Sequence, residues 1–450
     1  MHIKLISMLA FFIASISFAQ DFRQMGSNYY AYPTPEAKYT KAPAGYKPFY
    51  LTHYGRHGSR FHQPADHYHE LHNTLAKADS LGKLTDLGKS LLTRAKYLDE
   101  YAAPRAGDLT QLGVAQHQGI AKRMVKNFPE LFKNDAYVEA YASTSTRCVV
   151  SMAAFLEELR AQKPKLNIHQ ESGKYLMAFI SPLDFGKIIG ESNTPAWQKE
   201  NEKLYSHVDP TRMMRAIFSD TAYIQKNVNA GELYSRIYEI GNSLQGSPEI
   251  EFSFDDLWTE SELAARWHAQ NAWWYSVLGN NPFAQKQGLE NARPLLKNFL
   301  DVADKVIAAD TAKADKTGKA AKKTSATLRF GHDTVIFPFA VLLQLENGSQ
   351  KTGIETADME NLHQTWRDYE ISPMAANVQI VFYKSAKKGA PILVKVMLNE
   401  IEQTLPVTCD PQGPSAGTSA SSVSLRNCPV APYYRWEDFR DFYGKIAINK

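Results

Sequence analysis

Cysteine and excess charge are both scarce in this chain. Its 450 residues include three cysteines, and 51 lysines and arginines stand against 47 aspartates and glutamates, for a formal net charge of +4. So slight a positive excess argues against nucleic acid as a partner, although a local basic pocket remains compatible with it. Three cysteines permit at most one disulfide within the chain.

Long apolar runs are absent beyond residue 19. About 20 apolar residues are needed to cross a bilayer, so we expect no membrane span. The one apolar run, Leu5 to Phe18, follows Lys4 and is accompanied by the small residues Ser17 and Ala19 before Gln20. This pattern predicts a signal peptide over residues 1–19 and export to the periplasm or the extracellular space. A membrane anchor is the alternative, and the shortness of the run argues against it.

The three cysteines divide into a pair and a single residue. Cys409 and Cys428 flank a Pro/Gly/Ser-rich stretch from Pro411 to Ser424, and an oxidising compartment would let them form a disulfide. Cys148 follows Arg147 directly. We interpret Cys148 as a small buried hydrophobic residue rather than a nucleophile.

What the chain does contain is ordinary globular material. Hydrophobic residues make up 44% and charged residues 22%, which is enough to build a large core. We predict an α/β fold, with a three-layer α/β/α core around a mostly parallel sheet. Residues 20–175 and 325–450 are expected to form the two parts of this α/β domain, and residues 176–324 a mostly helical insertion.

Periodicity predicts the elements that carry this fold. The expected strands are an apolar run ending near Thr52, followed by Tyr137–Ala142, Ala326–Phe330 and a hairpin of Asn377–Ser385 with Ala390–Leu398. The expected helices are Asp66–Ser80, Thr85–Tyr101, Thr110–Phe128, Thr146–Leu159 and Val335–Leu345. Within the insertion, the aromatic residues Trp267, Trp273, Trp274 and Tyr275 are interpreted as packing residues.

The most informative stretch is Arg56-His57-Gly58-Ser59-Arg60, which follows a predicted strand. Arginine offers planar, permanently charged donors that suit phosphate oxygens. A neutral histidine nitrogen can attack phosphorus and carry the phosphoryl group covalently. The glycine lets the backbone turn and approach a ligand closely. The stretch therefore predicts a site that holds a phosphate dianion beside a nucleophile.

Two further strand-to-helix turns carry complementary chemistry. Arg147 follows Tyr137–Ala142 and a run of capping hydroxyls, and it is expected in a first helical turn where backbone N–H groups favour an anion. His332 and Asp333 follow the strand Ala326–Phe330. If these strands are parallel neighbours, the three turns meet at the carboxyl edge of the sheet, where ligands bind in open α/β folds.

The motifs resemble those of the histidine acid phosphatases, the branch of the histidine phosphatase superfamily that includes phytases and multiple inositol polyphosphate phosphatases. The matching segments extend from about residue 45 to 345 and occur in the family's order: Arg56 to Arg60, Gly107 to Gly113 with Gln116, Ser145-Thr146-Arg147 and Gly331 to Thr334. Near the carboxyl terminus, Leu398-Asn399-Glu400, the cysteine pair and Tyr434 to Phe439 look most like the inositol polyphosphate phosphatases.

The resemblance implies a role for each motif residue. His57 would be the nucleophile and would form a phosphohistidine, and Asp333 would be the general acid that protonates the leaving oxygen. The phosphoryl group would be bound by Arg56, Arg60, Arg147 and His332. Because an aspartic acid must be protonated to donate, we expect an acidic pH optimum.

The same resemblance implies an exported phosphoric monoester hydrolase whose partner is a small phosphorylated molecule, with phytate or another inositol polyphosphate as the expected substrate. A broad-specificity acid phosphatase or a sugar-phosphate phosphatase is the alternative. No cofactor and no metal are implied, because nucleophile, phosphate ligands and acid are all side chains. The oligomeric state is not predicted.

Two positions depart from the family pattern. The proline that usually follows the second arginine by two residues is replaced by His62, with Pro64 further on. Inositol polyphosphate phosphatases commonly have His-Ala-Glu where this chain has His332-Asp333-Thr334, the form typical of bacterial phytases and acid phosphatases. The second departure bears on which phosphate of an inositol ring is removed.

Three rival functions were weighed against this interpretation. A metal-dependent hydrolase is suggested by six histidines within twenty residues, His53, His57, His62, His67, His69 and His72, of which the last three are candidates to share an ion. No cysteine or suitably spaced carboxylate set completes a familiar metal site there. A non-catalytic binder of phosphorylated ligands is disfavoured because both a nucleophile and an acid are present. A phosphomutase is disfavoured by the predicted export and by the large insertion.

Overall fold

The structure is a computed structural model that describes residues 22–36, 38–311, 323–409 and 428–448. The predicted signal peptide and the stretch from Pro411 to Ser424 lie outside the described residues. None of the helices in these ranges combines the length and the apolar composition that a bilayer crossing requires. Cys409 and Cys428 form a disulfide, and Cys148 is free and buried.

One mixed sheet organises the molecule. The strands are β1 (Tyr46–Arg56), β2 (Tyr137–Ala142), β3 (Asn167–Ser172), β4 (Thr324–Gly331), β5 (Glu346–Asn347), β6 (Gln350–Lys351), β7 (Asn377–Ser385), β8 (Leu393–Leu398), β9 (Ile401–Glu402) and β10 (Tyr434–Arg435). In the described residues the order across the sheet is β10-β8-β7-β1-β4-β2-β3, with β9 paired to β8, and β5 and β6 form a separate two-stranded sheet. Strands β1, β4, β2 and β3 run parallel, whereas β7 joins β1 in antiparallel orientation. The predicted α/β class is confirmed.

Helices cover both faces of this sheet. They are α1 (Asp66–Ser80), α2 (Asp86–Tyr101), α3 (Gln111–Asn127), α4 (Thr146–Gln162), α5 (Met177–Ile180), α6 (Phe185–Ser192), α7 (Pro195–Tyr205), α8 (Thr211–Ile217), α9 (Thr221–Asn227), α10 (Ala230–Ser243), α11 (Glu260–Leu278), α12 (Gln287–Thr311), α13 (Asp333–Leu343), α14 (Asp368–Ile371) and α15 (Trp436–Ile448). The five predicted helices correspond to α1, α2, α3, α4 and α13. Strand β3 was not predicted, because it is short and its side chains are mostly exposed.

Alternation along β1 sends side chains into two separate cores. Tyr50 and Tyr54 join the core formed with α11, α12, α13 and α15, whereas Leu51 joins the core formed with α3 and α4. Successive side chains of a strand point to opposite faces, so a strand buried on both faces needs apolar residues in consecutive positions. The result is the expected three-layer α/β/α arrangement.

A third core lies among helices away from the sheet. Helices α1 and α2 pack against α8 and α10, with Leu75, Leu91, Ile217 and Ile237 buried between them. Helix α11, by contrast, contributes to the core on the sheet. The helices after residue 176 therefore divide between two cores. The domain boundaries at residues 176 and 324 stay a prediction.

Candidate active site

Three strand-to-helix turns meet at the carboxyl edge of the parallel strands. Arg56 at the end of β1 is the register partner of Gly331 at the end of β4. Ala142 at the end of β2 pairs with Phe330 of β4. Neighbouring parallel strands that end at the same level release their following turns side by side. The turns open into a cavity of about 350 Å³.

The predicted site residues lie together in and around this cavity. His57, Arg60, Arg147 and Asp333 line it. Arg56 is fully buried and contacts Asp333, with 2.8 Å between Nη2 and Oδ2. The ring of His332 lies 5.8 Å from the ring of His57, centroid to centroid. The structure thus brings all six residues into one constellation.

His57 is held in the tautomer that a nucleophile needs. Its Nδ1 lies 2.9 Å from the carbonyl oxygen of Gly58. A carbonyl oxygen can only accept, so Nδ1 carries the hydrogen and Nε2 keeps its lone pair. Burial lowers the pKa of His57 well below its ordinary value, and the charges of Arg56 and Arg147 lower it further. Both effects favour the neutral form of the imidazole.

The turn that carries His57 packs backbone to backbone against the start of α3. A side-chain carbon on Gly58 would lie 2.4 Å from the carbonyl oxygen of Gly113, and one on Gly113 would lie 2.3 Å from that of Ser59. The Gln116 side chain accepts a hydrogen bond of 2.9 Å from the backbone N–H of Ser59. Thr110 caps α3 through the N–H of Gly113. The motif from Gly107 to Gln116 therefore packs against the turn that carries His57 and holds it in place.

Asp333 forms an ion pair with Arg56 at the bottom of the cavity. Burial raises the pKa of Asp333, but Arg56 and Arg60 outweigh it and hold this pKa below the ordinary value. Arg56 is itself fixed, because its Nη1 donates to the carbonyl oxygens of Asn28 and Ser372 at 2.6 and 2.7 Å. Desolvation lowers the pKa of Arg56 to about 10, so its charge persists. In the absence of substrate, Asp333 is a carboxylate near neutral pH.

Arg60 and Arg147 supply cationic donors that line the cavity. Nη1 of Arg60 donates to the carbonyl oxygen of Phe61 at 3.0 Å, and its guanidinium lies 5.2 Å from the ring centre of Tyr29. The Nε groups of Arg60 and Arg147 are buried without a hydrogen-bond partner. Most buried polar groups in proteins have a hydrogen-bond partner, so these two donors are available to a group that enters the cavity. An anion in the cavity is the natural partner for both.

His332 faces the nucleophile from the next turn. Its Nε2 lies 2.9 Å from the hydroxyl of Ser143, and its backbone N–H donates to Tyr54 at 3.1 Å. Burial and the charge of Arg147 lower the pKa of His332 to about 4. Cys148 Sγ lies 3.7 Å from Nε2 of His332, and burial raises the pKa of its thiol to about 12, which disfavours the thiolate; the prediction that Cys148 is buried is confirmed.

One polar contact of the site was not predicted from the sequence. Asn28 donates from Nδ2 to Oδ2 of Asp333 at 2.9 Å. It belongs to the 3-10 segment Gln24–Tyr29, which we call the amino-terminal segment. Ser27 in this segment donates its hydroxyl to the buried carboxylate of Asp368. No local signal marks Asn28, because its partner is 305 residues away in the chain.

The far wall of the cavity is aromatic and comes from the predicted insertion. Phe185, Trp273 and Trp274 line it together with Gln270 and Tyr238. The packing interpretation holds for Trp267 and Tyr275, which are fully buried. For Trp273 and Trp274 it is incomplete, because these two side chains also face the cavity.

The histidine-rich stretch separates into two clusters. His69 and His72 both contact the carboxylate of Asp99, the latter at 2.7 Å. His67 instead contacts His62, at 2.6 Å between Nδ1 and Nε2, and Glu239, at 3.3 Å from the same Nδ1. His67 therefore has different partners from His69 and His72, and the three histidines of the disfavoured metal-hydrolase alternative do not form one cluster. His62, His67 and Glu239 all line the cavity.

Comparison with known proteins agrees with this geometry. The family model of the histidine phosphatase superfamily, branch 2, matches residues 55–399. No curated protein matches the chain significantly. Among solved structures, a multiple inositol polyphosphate phosphatase of Bifidobacterium longum in complex with inositol hexasulfate has a TM-score of 0.68 at 18% identity, covering 88% of this chain and 95% of that one.

Two phytases are also similar. The phytase of D. castellii has a TM-score of 0.60 at 13% identity, covering 95% of this chain and 86% of that one. A Hafnia alvei phytase in complex with tartrate has a TM-score of 0.51 at 14% identity, covering 90% of this chain and 98% of that one. Similarity at these identities supports the fold. The family match spans most of the chain and agrees with the predicted enzyme class, a phosphoric monoester hydrolase, and on this ground the chain belongs to branch 2 of the histidine phosphatase superfamily.

Proposed function

We propose that this protein is an exported phosphatase that hydrolyses phosphate monoesters through a phosphohistidine at His57. The observation that carries the proposal is the hydrogen bond from Nδ1 of His57 to the Gly58 carbonyl, which leaves Nε2 free beside the cavity. Export is supported by the signal-peptide pattern of residues 1–19 and by the Cys409–Cys428 disulfide.

In the first step, Nε2 of His57 attacks phosphorus and an N–P bond forms while the P–O bond to the leaving group breaks. The leaving oxygen takes the proton of Asp333, which becomes a carboxylate. Arg56, Arg60 and Arg147 offset the charge on the transferred oxygens, and because they are already in place they need no reorganisation. In the second step, Asp333 takes a proton from a water molecule whose oxygen attacks phosphorus. The N–P bond breaks and inorganic phosphate is released.

The pKa of Asp333 decides the pH range of this cycle. The two arginines hold this pKa low in the empty site. A bound phosphate dianion neutralises part of their charge and raises the pKa of the neighbouring carboxyl group. The protonated acid is thus formed most readily with substrate bound and below neutral pH. We expect an acidic optimum.

Inositol polyphosphates are the proposed substrates. The similar structures include proteins whose names state that they act on inositol polyphosphates or phytate, one of them bound to inositol hexasulfate. The aromatic far wall of Phe185, Trp273 and Trp274 favours a second candidate, a phosphatase for less highly charged esters such as sugar phosphates. The two are separated by comparing kcat/KM for phytate, glucose 1-phosphate and an aryl phosphate.

The phosphohistidine is tested by trapping. Wild-type protein is mixed with ³²P-labelled substrate, quenched in alkali and digested, and the label is expected on the peptide that contains His57. His57→Ala is expected to lose both label and turnover while keeping the wild-type melting temperature. Label on another residue, or turnover by His57→Ala, would overturn the mechanism.

The general acid is tested by the leaving group. Asp333→Asn is expected to lower kcat/KM for an alkyl phosphate by about 10²–10⁴-fold, and kcat/KM is compared because it reports the first step, before Asp333 acts on water. The loss is expected to be much smaller for p-nitrophenyl phosphate, whose leaving oxygen needs little protonation. Equal losses on both substrates would show that Asp333 serves binding rather than proton transfer.

A further inference from the structure

The strongest feature that the proposed mechanism leaves unused is the cluster of His62, His67 and Glu239 at the side of the cavity. Within the described residues this is the group of histidine and carboxylate side chains that is arranged to hold a metal ion. Its three ligand atoms all lie within 4.8 Å of one another. The three residues come from separate elements: the turn after β1, the first turn of α1 and helix α10. Their approach therefore depends on the packing of the helical core rather than on local chain geometry.

We propose that His62, His67 and Glu239 form a binding site for a divalent transition metal ion of the Zn²⁺ class, and that the bound ion inhibits the phosphatase. Two imidazoles and one carboxylate, with an open position for a fourth ligand, are a donor set that Zn²⁺ accepts readily. The oxygen-rich coordination that Mg²⁺ and Ca²⁺ require is absent from this group.

The distances are close to those of a coordinated ion. Four ligands at about 2.1 Å around a tetrahedral ion lie about 3.4 Å apart. Glu239 Oε2 lies 3.3 Å from His67 Nδ1 and 3.8 Å from His62 Nε2. The two imidazole nitrogens are nearer, at 2.6 Å, because they share a hydrogen bond. A small rotation of His67, which is partly exposed, opens this pair around an ion.

Tyr29 provides the support that a ligating histidine needs. Its hydroxyl lies 2.7 Å from Nδ1 of His62. When Nδ1 donates to this hydroxyl, Nε2 has the free lone pair that binds metal, and such outer partners orient ligands in known metal sites. The hydrogen between the two imidazoles then belongs to His67. When the metal binds Nδ1 of His67, this hydrogen is carried on Nε2 of the same ring, so both rings stay neutral. The backbone N–H of His62 donates to Tyr68 at 3.0 Å, which fixes the ligand further.

Opposing charges limit the affinity. Nη1 of Arg236 lies 3.5 Å from His67 Nδ1, and Arg60 lines the same cavity. Arg236 is drawn away by its ion pair with Glu70, at 3.0 Å from Nε. Removing the positive charge with Arg236→Gln should therefore raise metal affinity. If His62, His67 and Glu239 did not bind the metal, Arg236→Gln would leave the metal affinity unchanged.

The consequence for activity rests on the proposed function. An ion at this position, with water at its open coordination position, occupies part of the cavity that His57 and Arg60 line. We expect Zn²⁺ to raise the apparent KM at least tenfold with little change in kcat, since the ion excludes substrate rather than altering the transferring groups.

Binding is tested directly on the untagged mature chain, without reference to activity. Co²⁺ or Zn²⁺ is titrated in phosphate-free buffer and followed by the visible absorption of Co²⁺ and by calorimetry. One ion per chain is expected, with affinity at least tenfold lower in His67→Ala and in Glu239→Gln. His69→Ala, which removes a histidine of the neighbouring Asp99 cluster, is the matched control and should bind like the wild type.

Three outcomes would overturn the site: no binding by the wild type at millimolar metal, equal binding by Glu239→Gln and wild type, or loss of binding in His69→Ala. Melting temperatures of the variants show whether each is folded. Metal binding without phosphatase activity would reject the proposed function and leave the site standing. Turnover without metal binding would reject the metal site and leave the proposed function standing.

Discussion

Single side chains around Asp333 set the pKa of the group that we propose as the general acid. Arg56 contacts one carboxylate oxygen at 2.8 Å, and Asn28 donates to the same oxygen at 2.9 Å. Both contacts stabilise the ionised form, although burial acts against it. Arg56 also binds phosphate in the proposed mechanism, whereas the side chain of Asn28 contacts Asp333 and only its backbone carbonyl contacts Arg56. The acid can therefore be adjusted without removing a phosphate ligand.

Substituting Asn28→Ala is expected to raise the pKa of Asp333, because a donor to the carboxylate is lost while the backbone contact of residue 28 with Arg56 remains. A hydrogen bond to a charged group contributes about 1.5–3 kcal/mol, and one pKa unit corresponds to about 1.4 kcal/mol. The alkaline limb of the kcat/KM profile should move about one unit to higher pH. Asn28→Asp adds a like charge and should move it further. An unchanged profile would show that Asn28 has no influence on the acid.

The turn that carries His57 and helix α3 are packed and hydrogen-bonded to each other. Gly58 and Gly113 let the two backbones touch, and Gln116 and Thr110 each hold part of the turn by hydrogen bonds. A protein interior is close-packed, so neither backbone has room to withdraw from an added carbon. The position of His57 in the cavity therefore depends on a helix that contributes no residue to the chemistry.

Gly113→Ala is expected to lower the free energy of unfolding by about 1–3 kcal/mol, since the new carbon meets the Ser59 carbonyl oxygen at 2.3 Å. Displacement of the turn should also lower kcat at least tenfold. Gly119→Ala, in the same helix, is the matched control. Its new carbon meets only the end of the Arg123 side chain, at 3.1 Å, so kcat should stay at the wild-type value. Urea denaturation and steady-state kinetics measure both effects, and equal behaviour of the two variants would contradict the packing argument.

We predict that acid lowers the stability of the folded protein, whereas the proposed mechanism predicts that acid raises its activity. Desolvation by burial lowers the pKa of His53 to about 3 and that of His117 to about 3. In the unfolded chain a histidine titrates at about 6.5, so the unfolded state binds more protons as the pH falls. Asp368 acts the other way, because burial raises its folded pKa to about 6 and its contribution to stability grows below that pH. The stability lost through the two histidines on acidification exceeds the stability gained through the one carboxyl group.

We therefore expect the protein to be less stable at pH 4.5 than at pH 7, with each of the two histidines contributing roughly 2–3 kcal/mol to the loss. His53→Leu removes one titrating group and should make the pH dependence shallower. His169→Leu, at an exposed position, serves as its control and should leave the dependence unchanged. Urea midpoints at the two pH values provide the measurement. A protein that becomes more stable on acidification would show that these rings are protonated in the folded state.

The sequence alone determined the groups that carry the proposed chemistry. Arg56, His57 and Arg60 are neighbours in the chain, and His332 precedes Asp333, so each motif is assembled by local backbone geometry at a strand end. The strand and helix periods that place these turns are also local, which is why α1, α3, β2 and β7 were predicted nearly to the residue. Cys409 and Cys428 flank a Pro/Gly/Ser-rich stretch of the sequence, and the disulfide that this pattern predicts is present.

Only the tertiary structure decided what surrounds those groups. Asn28 reaches Asp333 across 305 residues, and Glu239 reaches His67 from α10, which packs against α1 in the third core. Trp273 and Trp274 have the composition of packing residues, and only the course of α11 beside the sheet turns them toward the cavity. Contacts of this kind join residues that are far apart in the chain, and they depend on how the helices pack. A single sequence has no local pattern that predicts them.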